Sequence, residues 1–283
     1  MSLAKALCAK PITRIDGARE AAACEDLVAV EEPLEIRVGG SSIAVVMRTP
    51  GHDRELAAGF LVTEGLLRRR DEVLDMVRCG GNPAAHAAGH EGAPVNTENF
   101  LDVLLAPGAT VDLARLTRHV FTSSSCGICS KASIAAVQAQ FPAIAAAQQL
   151  RPRRAVLVAL PEKLRAAQAA FAATGGLHAS ALFDAAGQLI VVREDVGRHN
   201  ALDKIIGHAF FEERLPLRER ILLVSGRVSF ELMQKALAAG IPCVAAISAP
   251  TTAAVEFARE SGQVLVGFLR GERMNVYAGT LAG

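Results

Sequence analysis

Between Glu31 and Thr49 apolar and polar residues alternate. Leu34, Ile36 and Val38 share one face, Gly39-Gly40 supplies a turn, and Ile43, Val45 and Met47 resume the alternation. A period of two broken by paired glycines predicts a β-hairpin. Asp53 then stands where a helix cap is needed, ahead of Glu55, Leu56, Phe60 and Leu61, with a stop near Gly65. Residues 82–99 are rich in Ala, Gly and His and lack any period, so they read as a loop. Phe100 to Ala106 returns as a strand. Residues 1–25 carry an alanine run and no amphipathic period, and read as a flexible leader.

The second half changes rhythm. A helix is expected from about Ser130, with Ile134, Val137 and Phe141 on one face. Leu189 to Val192 reads as a strand and Asn200 to Phe211 as a helix striped by Leu202, Ile205, Ile206 and Phe210. A buried strand, Ile221 to Val224, precedes a helix from Ser229 to Ala239 stopped by Gly240. Ile241 to Ile247, Thr251 to Glu260 and Val264 to Leu269 continue as strand, helix and strand. Such alternation implies an α/β domain, residues 121–283, with a largely parallel sheet covered on both faces. A smaller α+β region, residues 26–120, precedes it, and no internal repeat is evident.

Composition narrows the function. The 283 residues are 51% hydrophobic, enough for a sizeable core. Aromatics are 4%, with no Trp and one Tyr, which argues against stacking on nucleic-acid bases. Thirty basic against 29 acidic side chains, a net charge of +1, exclude a general polyanion binder but leave room for a local basic pocket. The N-terminus has no apolar run suited to a secretory signal or membrane span. Six cysteines in a chain this long are no disulfide framework, and reduced thiols suit the cytoplasm.

Cys126-Gly-Ile-Cys129, after Thr122 and three serines, is the sharpest chemical feature. Two sulfurs at a helix start meet backbone N–H groups that lower a thiol's pKa, and the thiolate is the form that carries or exchanges sulfur. Arg118 and Lys131 are candidate cationic neighbours. A dithiol oxidoreductase uses the same spacing, but after an early βαβ strand that is missing here. A zinc site needs further ligands; Cys79, Cys243, His119 and His178 are available but form no second close pair. A zinc deaminase needs H-x-E and P-C-x-x-C, whereas Ser125 precedes this pair and no histidine is followed by x-Glu. The plain alternative is two small hydrophobes at a helix start. Cys243, in a buried strand, reads as core; Cys8, Cys24 and Cys79 receive no role.

Three loops fall where strands end and helices begin: Arg193 to Lys204, Ser225-Gly-Arg-Val-Ser229 and Ser248-Ala-Pro-Thr-Thr252. That is the ligand crevice of an open α/β sheet. Helix N-termini favour phosphate, and Arg198 and Arg227 add fixed charge. Ordinary capping by Asn200, Ser229 and Thr251 accounts for the same hydroxyls and amides. Asp203 and Lys204 also fit the solvated face of a helix, and His199 a satisfied structural imidazole. Arg270 and Arg273 flank Gly271 in a turn at the same edge.

These stretches, in this order, resemble the formate dehydrogenase accessory protein family, FdhD. The motifs are SSCGICSKAS, EDVGRHNALDK, SGRVSFE, ISAPTT and GFLRGERMNVY, with AGFLVTEG upstream. The resemblance runs from about Glu31 nearly to the C-terminus; the Ala/Gly/His-rich residues 82–92 depart from it as a local insertion. It implies a sulfurtransferase that takes sulfur from an L-cysteine desulfurase and passes it to bis-molybdopterin guanine dinucleotide (Mo-bisMGD) for formate dehydrogenase. It implies a cytidine-deaminase-like C-terminal domain without zinc, and a homodimer. It implies a persulfide on Cys126 assisted by Cys129, and cofactor binding along Phe268, Leu269, Arg270, Gly271, Glu272 and Arg273. Arg198, Arg227 and Ser248 join that site from the loop reading. Two other classes compete: a cofactor-binding chaperone without chemistry of its own, and a zinc-dependent deaminase.

Overall fold

A computed structural model describes residues 3–17, 19–78, 97–109 and 141–283. Cys126, Cys129 and Cys79, the helix expected from Ser130, the boundary near residue 120 and the stretch 82–96 lie outside these described residues.

Two strands, β1 (Leu7–Asp16) and β2 (Arg19–Ala29), pair antiparallel after a short helix α1 (Leu3–Ala6). The leader reading is therefore corrected: most of residues 1–25 belong to a hairpin. Ile12, Ile15, Leu27 and Val28 remain partly or largely exposed. With both faces wet, no alternation marks the strands, because period two is visible only when one face is buried.

The next hairpin is where the alternation places it. β3 (Glu32–Val38) and β4 (Ser41–Arg48) join through Gly39 and Gly40, both at positive φ, as a tight turn matched to strand twist requires. One expectation changes. The register slips between Ile36 and Arg37, so Ile43 is buried while Val45 and Met47 are exposed, and Val46 and Arg48 turn inward instead. A bulge adds one residue and flips the parity beyond it. β5 (Val73–Val77) and β6 (Phe100–Leu105) complete a sheet in the order β4-β3-β6-β5.

Helix α2 (Asp53–Thr63) packs against both this sheet and the C-terminal half of the chain. His52, at φ +58°, is its N-cap. Asp53 is the first helical residue rather than the cap. Its carboxylate instead takes Arg48, itself 1% exposed, at 3.1 Å and Arg78 at 2.7 Å.

The C-terminal elements are α3 (Arg154–Ala167), α4 (Ala169–Thr174), β7 (His178–Phe183), β8 (Leu189–Asp195), α5 (Arg198–Phe211) and β9 (Ile221–Val224). They continue with α6 (Phe230–Ala238), β10 (Cys243–Ala246), α7 (Thr252–Ser261), β11 (Val264–Arg270) and β12 (Arg273–Ala278). The sheet order is β12-β11-β10-β9-β7-β8. The α/β class is as expected, with helices on both faces. The sheet is mixed rather than largely parallel: β9, β10 and β11 run parallel, whereas β7 opposes β8 and β9, and β12 opposes β11. On one face, Leu157, Leu160 and Leu164 of α3 cover Phe183, Ile221, Leu223, Ala245 and Val266. On the other, the helices α5, α6 and α7 form one continuous core with α2 and the four-stranded sheet.

That continuity depends on two glycines. A Cβ on Gly59 of α2 would lie 1.8 Å from the Asp203 carbonyl oxygen, and one on Gly207 of α5 would lie 1.8 Å from that of Glu55. The helices cross backbone to backbone, a contact only glycine permits. Gly59→Ala and Gly207→Ala should each lower unfolding free energy in urea by about 1–3 kcal/mol or more, since the obstacle is backbone. A change below about 0.5 kcal/mol in either would show that the helices separate freely.

Candidate functional site

β8, β9, β10 and β11 point the same way, so the loops after them and the β11–β12 turn share one edge of the sheet. β7 runs the other way and begins there, with His178 opposite Asp195. Backbone bonds join the loops: Val228 N–H donates to Ala249 O, Thr251 N–H to Val228 O, and Phe268 N–H to Ser248 O, at 2.9–3.1 Å. Ser225 N–H donates to Ala179 O while its hydroxyl accepts from Ala179 N–H. The edge is thus a knitted surface that fixes the positions of Arg227, Ser248 and Phe268.

The hydroxyl caps are where capping chemistry places them. Ser229 accepts from Leu232 N–H on α6, and Thr251 from Ala254 N–H on α7. Asn200 does not cap. It sits inside the first turn of α5 and donates to Asp195 Oδ1 and Met47 O. Asp195, fully buried, also accepts from Gly197 N–H and Thr49 N–H, and lies 2.6 Å from the buried Lys204 ammonium. The solvated-face reading of Asp203 and Lys204 is corrected: both are buried, and Asp203 accepts from Lys235 and Thr63. Burial alone would lower the Lys235 pKa, but the carboxylates of Asp203, Glu231 and Glu64 outweigh it and raise it. Much of the EDVGRHNALDK stretch therefore anchors α5 rather than facing a ligand.

His199 fits its structural reading. Its Nε2 lies 3.2 Å from Ser229 Oγ and 3.6 Å from Glu231 Oε2. Burial, then Lys235 and Arg198, hold its pKa down to about 3, so the ring is neutral. Burial raises Glu231.

What remains facing solvent is cationic and aromatic. Arg227, Arg270 and Arg273 are exposed, as are Gly271 and Glu272, while Ser248 is half-buried. Phe268 is 42% exposed at φ +53°, inside the irregular pairing between Gly267 and Arg270. An aromatic ring held outward on left-handed backbone is a strained arrangement that binding surfaces accumulate. Phe268, Arg270, Glu272, Arg273, Met274 and Asn275 line an open groove of about 690 Å³. Leu269 is 0% exposed and packs beneath α3, because successive strand residues face opposite ways. It supports the groove without facing it. Arg198 is half-buried, and its Nε–H has no hydrogen-bond partner among the described residues. Cys243 is fully buried, and burial pushes its thiol to about 12, as a core cysteine requires. Among the described residues no group of three His, Cys, Asp or Glu side chains could hold a metal ion, and no helix is long and apolar enough to cross a membrane.

His178 and Glu231 were not singled out for this edge. The missed strand β7, His-Ala-Ser-Ala-Leu-Phe, carried the available signal for His178: its apolar run opens at the histidine.

Fold and edge together define an α/β protein that presents a basic, aromatic groove at the ends of parallel strands. The FdhD/NarQ family profile matches residues 29–281, and the chain belongs to that family. It is 52% identical over 266 residues, 94% of each chain, to "Sulfur carrier protein FdhD" of Mycolicibacterium paratuberculosis. A protein of the same name from Sulfolobus acidocaldarius is 43% identical over 262 residues, 93% of this chain and 92% of that one. In fold it is similar to the crystal structure of a candidate formate dehydrogenase accessory protein from Desulfotalea psychrophila, with a TM-score of 0.70 and 21% identity. That similarity spans 96% of this chain and 97% of the other.

Neighbouring side chains at the groove should separate cleanly. Leu269→Ala should cost about 2–5 kcal/mol, a core truncation. Phe268→Ala should leave stability within about 0.5 kcal/mol, as for an exposed residue. Thermal or urea unfolding of both variants checks this, and equal costs would contradict the inward and outward assignment.

Proposed function

We propose that this chain is a sulfur carrier whose cargo site is Cys126 and whose acceptor is a Mo-bisMGD cofactor held at the sheet edge. The observation that supports it most is the membership of the family whose relatives are named sulfur carriers, joined to the groove of Phe268, Arg270 and Arg273. A dinucleotide carries pyrophosphates, which the exposed Arg227, Arg270 and Arg273 suit, and a planar base, which the Phe268 ring suits. The Cys126 thiolate would attack the outer sulfur of a desulfurase persulfide, forming a new S–S bond as the desulfurase thiolate leaves. Cys129 would then displace that sulfur as hydrosulfide, leaving a Cys126–Cys129 disulfide for an external dithiol to reduce. The cofactor would next enter formate dehydrogenase. A cytoplasmic homodimer without bound zinc, nucleic acid or membrane completes the reading.

Incubation with an L-cysteine desulfurase and cysteine should add one sulfur to the Cys126 peptide, read by mass spectrometry. Cys126→Ala should fold, gain no sulfur and fail to support formate dehydrogenase activity. A fully active Cys126→Ala protein would instead favour the chaperone reading, in which the groove binds and the cysteines carry nothing. One tightly bound zinc per chain, lost when Cys126 and Cys129 are replaced, would move the reading towards a deaminase-like centre.

The edge is tested with a fragment of the cofactor. Guanosine diphosphate should bind, more weakly as salt rises, and Arg227→Ala should lose about 1.5–3 kcal/mol of a charge-assisted contact. Equal affinity in calorimetric titrations would remove Arg227 from the site, and no binding to either protein would remove the site.

A further inference from the structure

His178 opens β7 at the same edge, and its surroundings are unusual for a histidine with no assigned part in the site. A Cβ added at Gly226 would meet His178 Nδ1 at 3.2 Å and Arg198 Cδ at 3.6 Å. The imidazole and the arginine stem therefore flank one glycine in the turn that carries Arg227. The paired bonds between Ala179 and Ser225 hold that turn against the start of β7.

The groups facing the ring come from every neighbouring element. Arg198 at the start of α5 and Arg227 in the β9–α6 loop are cations. Asp195 at the end of β8 is the opposing carboxylate. Its two oxygens are already taken by Gly197, Asn200, Thr49 and the Lys204 ammonium. His199, the next titratable group on α5, is neutral and turned to Ser229 and Glu231. The local field at His178 is therefore positive. Burial first, then Arg198 and Arg227 against Asp195, lower its pKa below the ordinary value. Arg198 contributes a second sign of an absent partner, since its Nε–H is buried and unpaired among the described residues.

We infer that His178 is a proton-linked contact for the phosphate-bearing ligand of this edge, protonated when the ligand's phosphate settles between Arg198 and Arg227. The inference rests on the cofactor-site reading above and adds its pH dependence. An anion there cancels the field that keeps the ring neutral, so the imidazolium becomes the favoured form. Linkage is reciprocal: if the phosphate raises the histidine's proton affinity, the proton raises affinity for the phosphate by the same factor. The extra affinity is fully present below the free protein's His178 pKa and is lost as pH rises through the higher pKa of the complex. Acid would load the phosphate position between Arg198 and Arg227, and mild alkali would release it.

Guanosine diphosphate is the probe. Wild type, His178→Gln and His178→Asn are titrated across the histidine range by calorimetry, in two buffers of different ionisation heat. The ligand's own terminal phosphate also takes up protons, so the reading is the difference between wild type and variants. Wild type should take up more protons on binding and lose affinity more steeply with rising pH, about tenfold for each unit by which binding moves the His178 pKa. NMR titration of the wild-type His178 ring, with and without the nucleotide, should show that pKa moving upward, a readout independent of any variant's folding. Binding to all three proteins with equal proton uptake and an unmoved His178 resonance would overturn the inference and leave the site intact. Failure of folded wild type to bind would overturn the site itself, and the inference with it.

Discussion

The backbone-to-backbone crossing of α2 and α5 is the contact on which the rest of the molecule depends. Gly59 and Gly207 each leave room for one carbonyl of the other helix, and no other residue type could. Drawing the helices this close merges two cores into one, so that Leu34 and Ile36 of the first sheet share a cluster with Leu202 and Ile206. It also brings the Glu55 carboxylate, already paired with His52 one turn earlier at the α2 N-cap, within reach of Arg193 and His208. Burial works against that carboxylate's charge. The hydrogen bonds and charges of Arg193 and His52 outweigh it and hold its pKa at about 2.

Around α5, buried charge does what apolar packing cannot: it fixes direction. Adjacent residues serve opposite sides, Lys204 reaching Asp195 and Thr49 O, and Asp203 reaching Lys235 of α6 and Thr63 of α2. Pairs of this kind contribute little net stability against an apolar substitute, but removing one partner strands the other at a cost of about 3–5 kcal/mol. A rotation of α5 would strand two charges at once. The start of α5 is held by the same bonds, and Arg198 and His199 stand at that start. The charged interior and this edge of the sheet are therefore one construction.

The edge itself divides labour along a single strand. Leu269 faces the core while Phe268 and Arg270 face the groove, and the positive φ at Phe268 marks where regular pairing gives way. The groove is open rather than enclosed, which suits a ligand large enough to extend beyond it. Its charge is local, since the whole chain is nearly neutral.

By itself the sequence determined whatever local periodicity and chain stiffness can encode. The Gly39-Gly40 hairpin, the strand Ile221 to Val224, a strand within Ile241 to Ile247, the caps Ser229 and Thr251, and Cys243 as core were all legible there. So was the ordered set of motifs that marks the family. A period is readable only where one face is wet and the other dry. The hairpin of Leu7 to Ala29, largely exposed on both faces, gave no such signal, and the bulge at Ile36 reversed the parity of β4 without a mark in the composition. Tertiary structure alone decided that Asp203 and Lys204 are interior and that Gly59 and Gly207 touch backbone. It also set His178 beside Arg198 across Gly226. Those outcomes join residues distant along the chain, and the partner that gives each its meaning is supplied only when the sheets and helices close on one another.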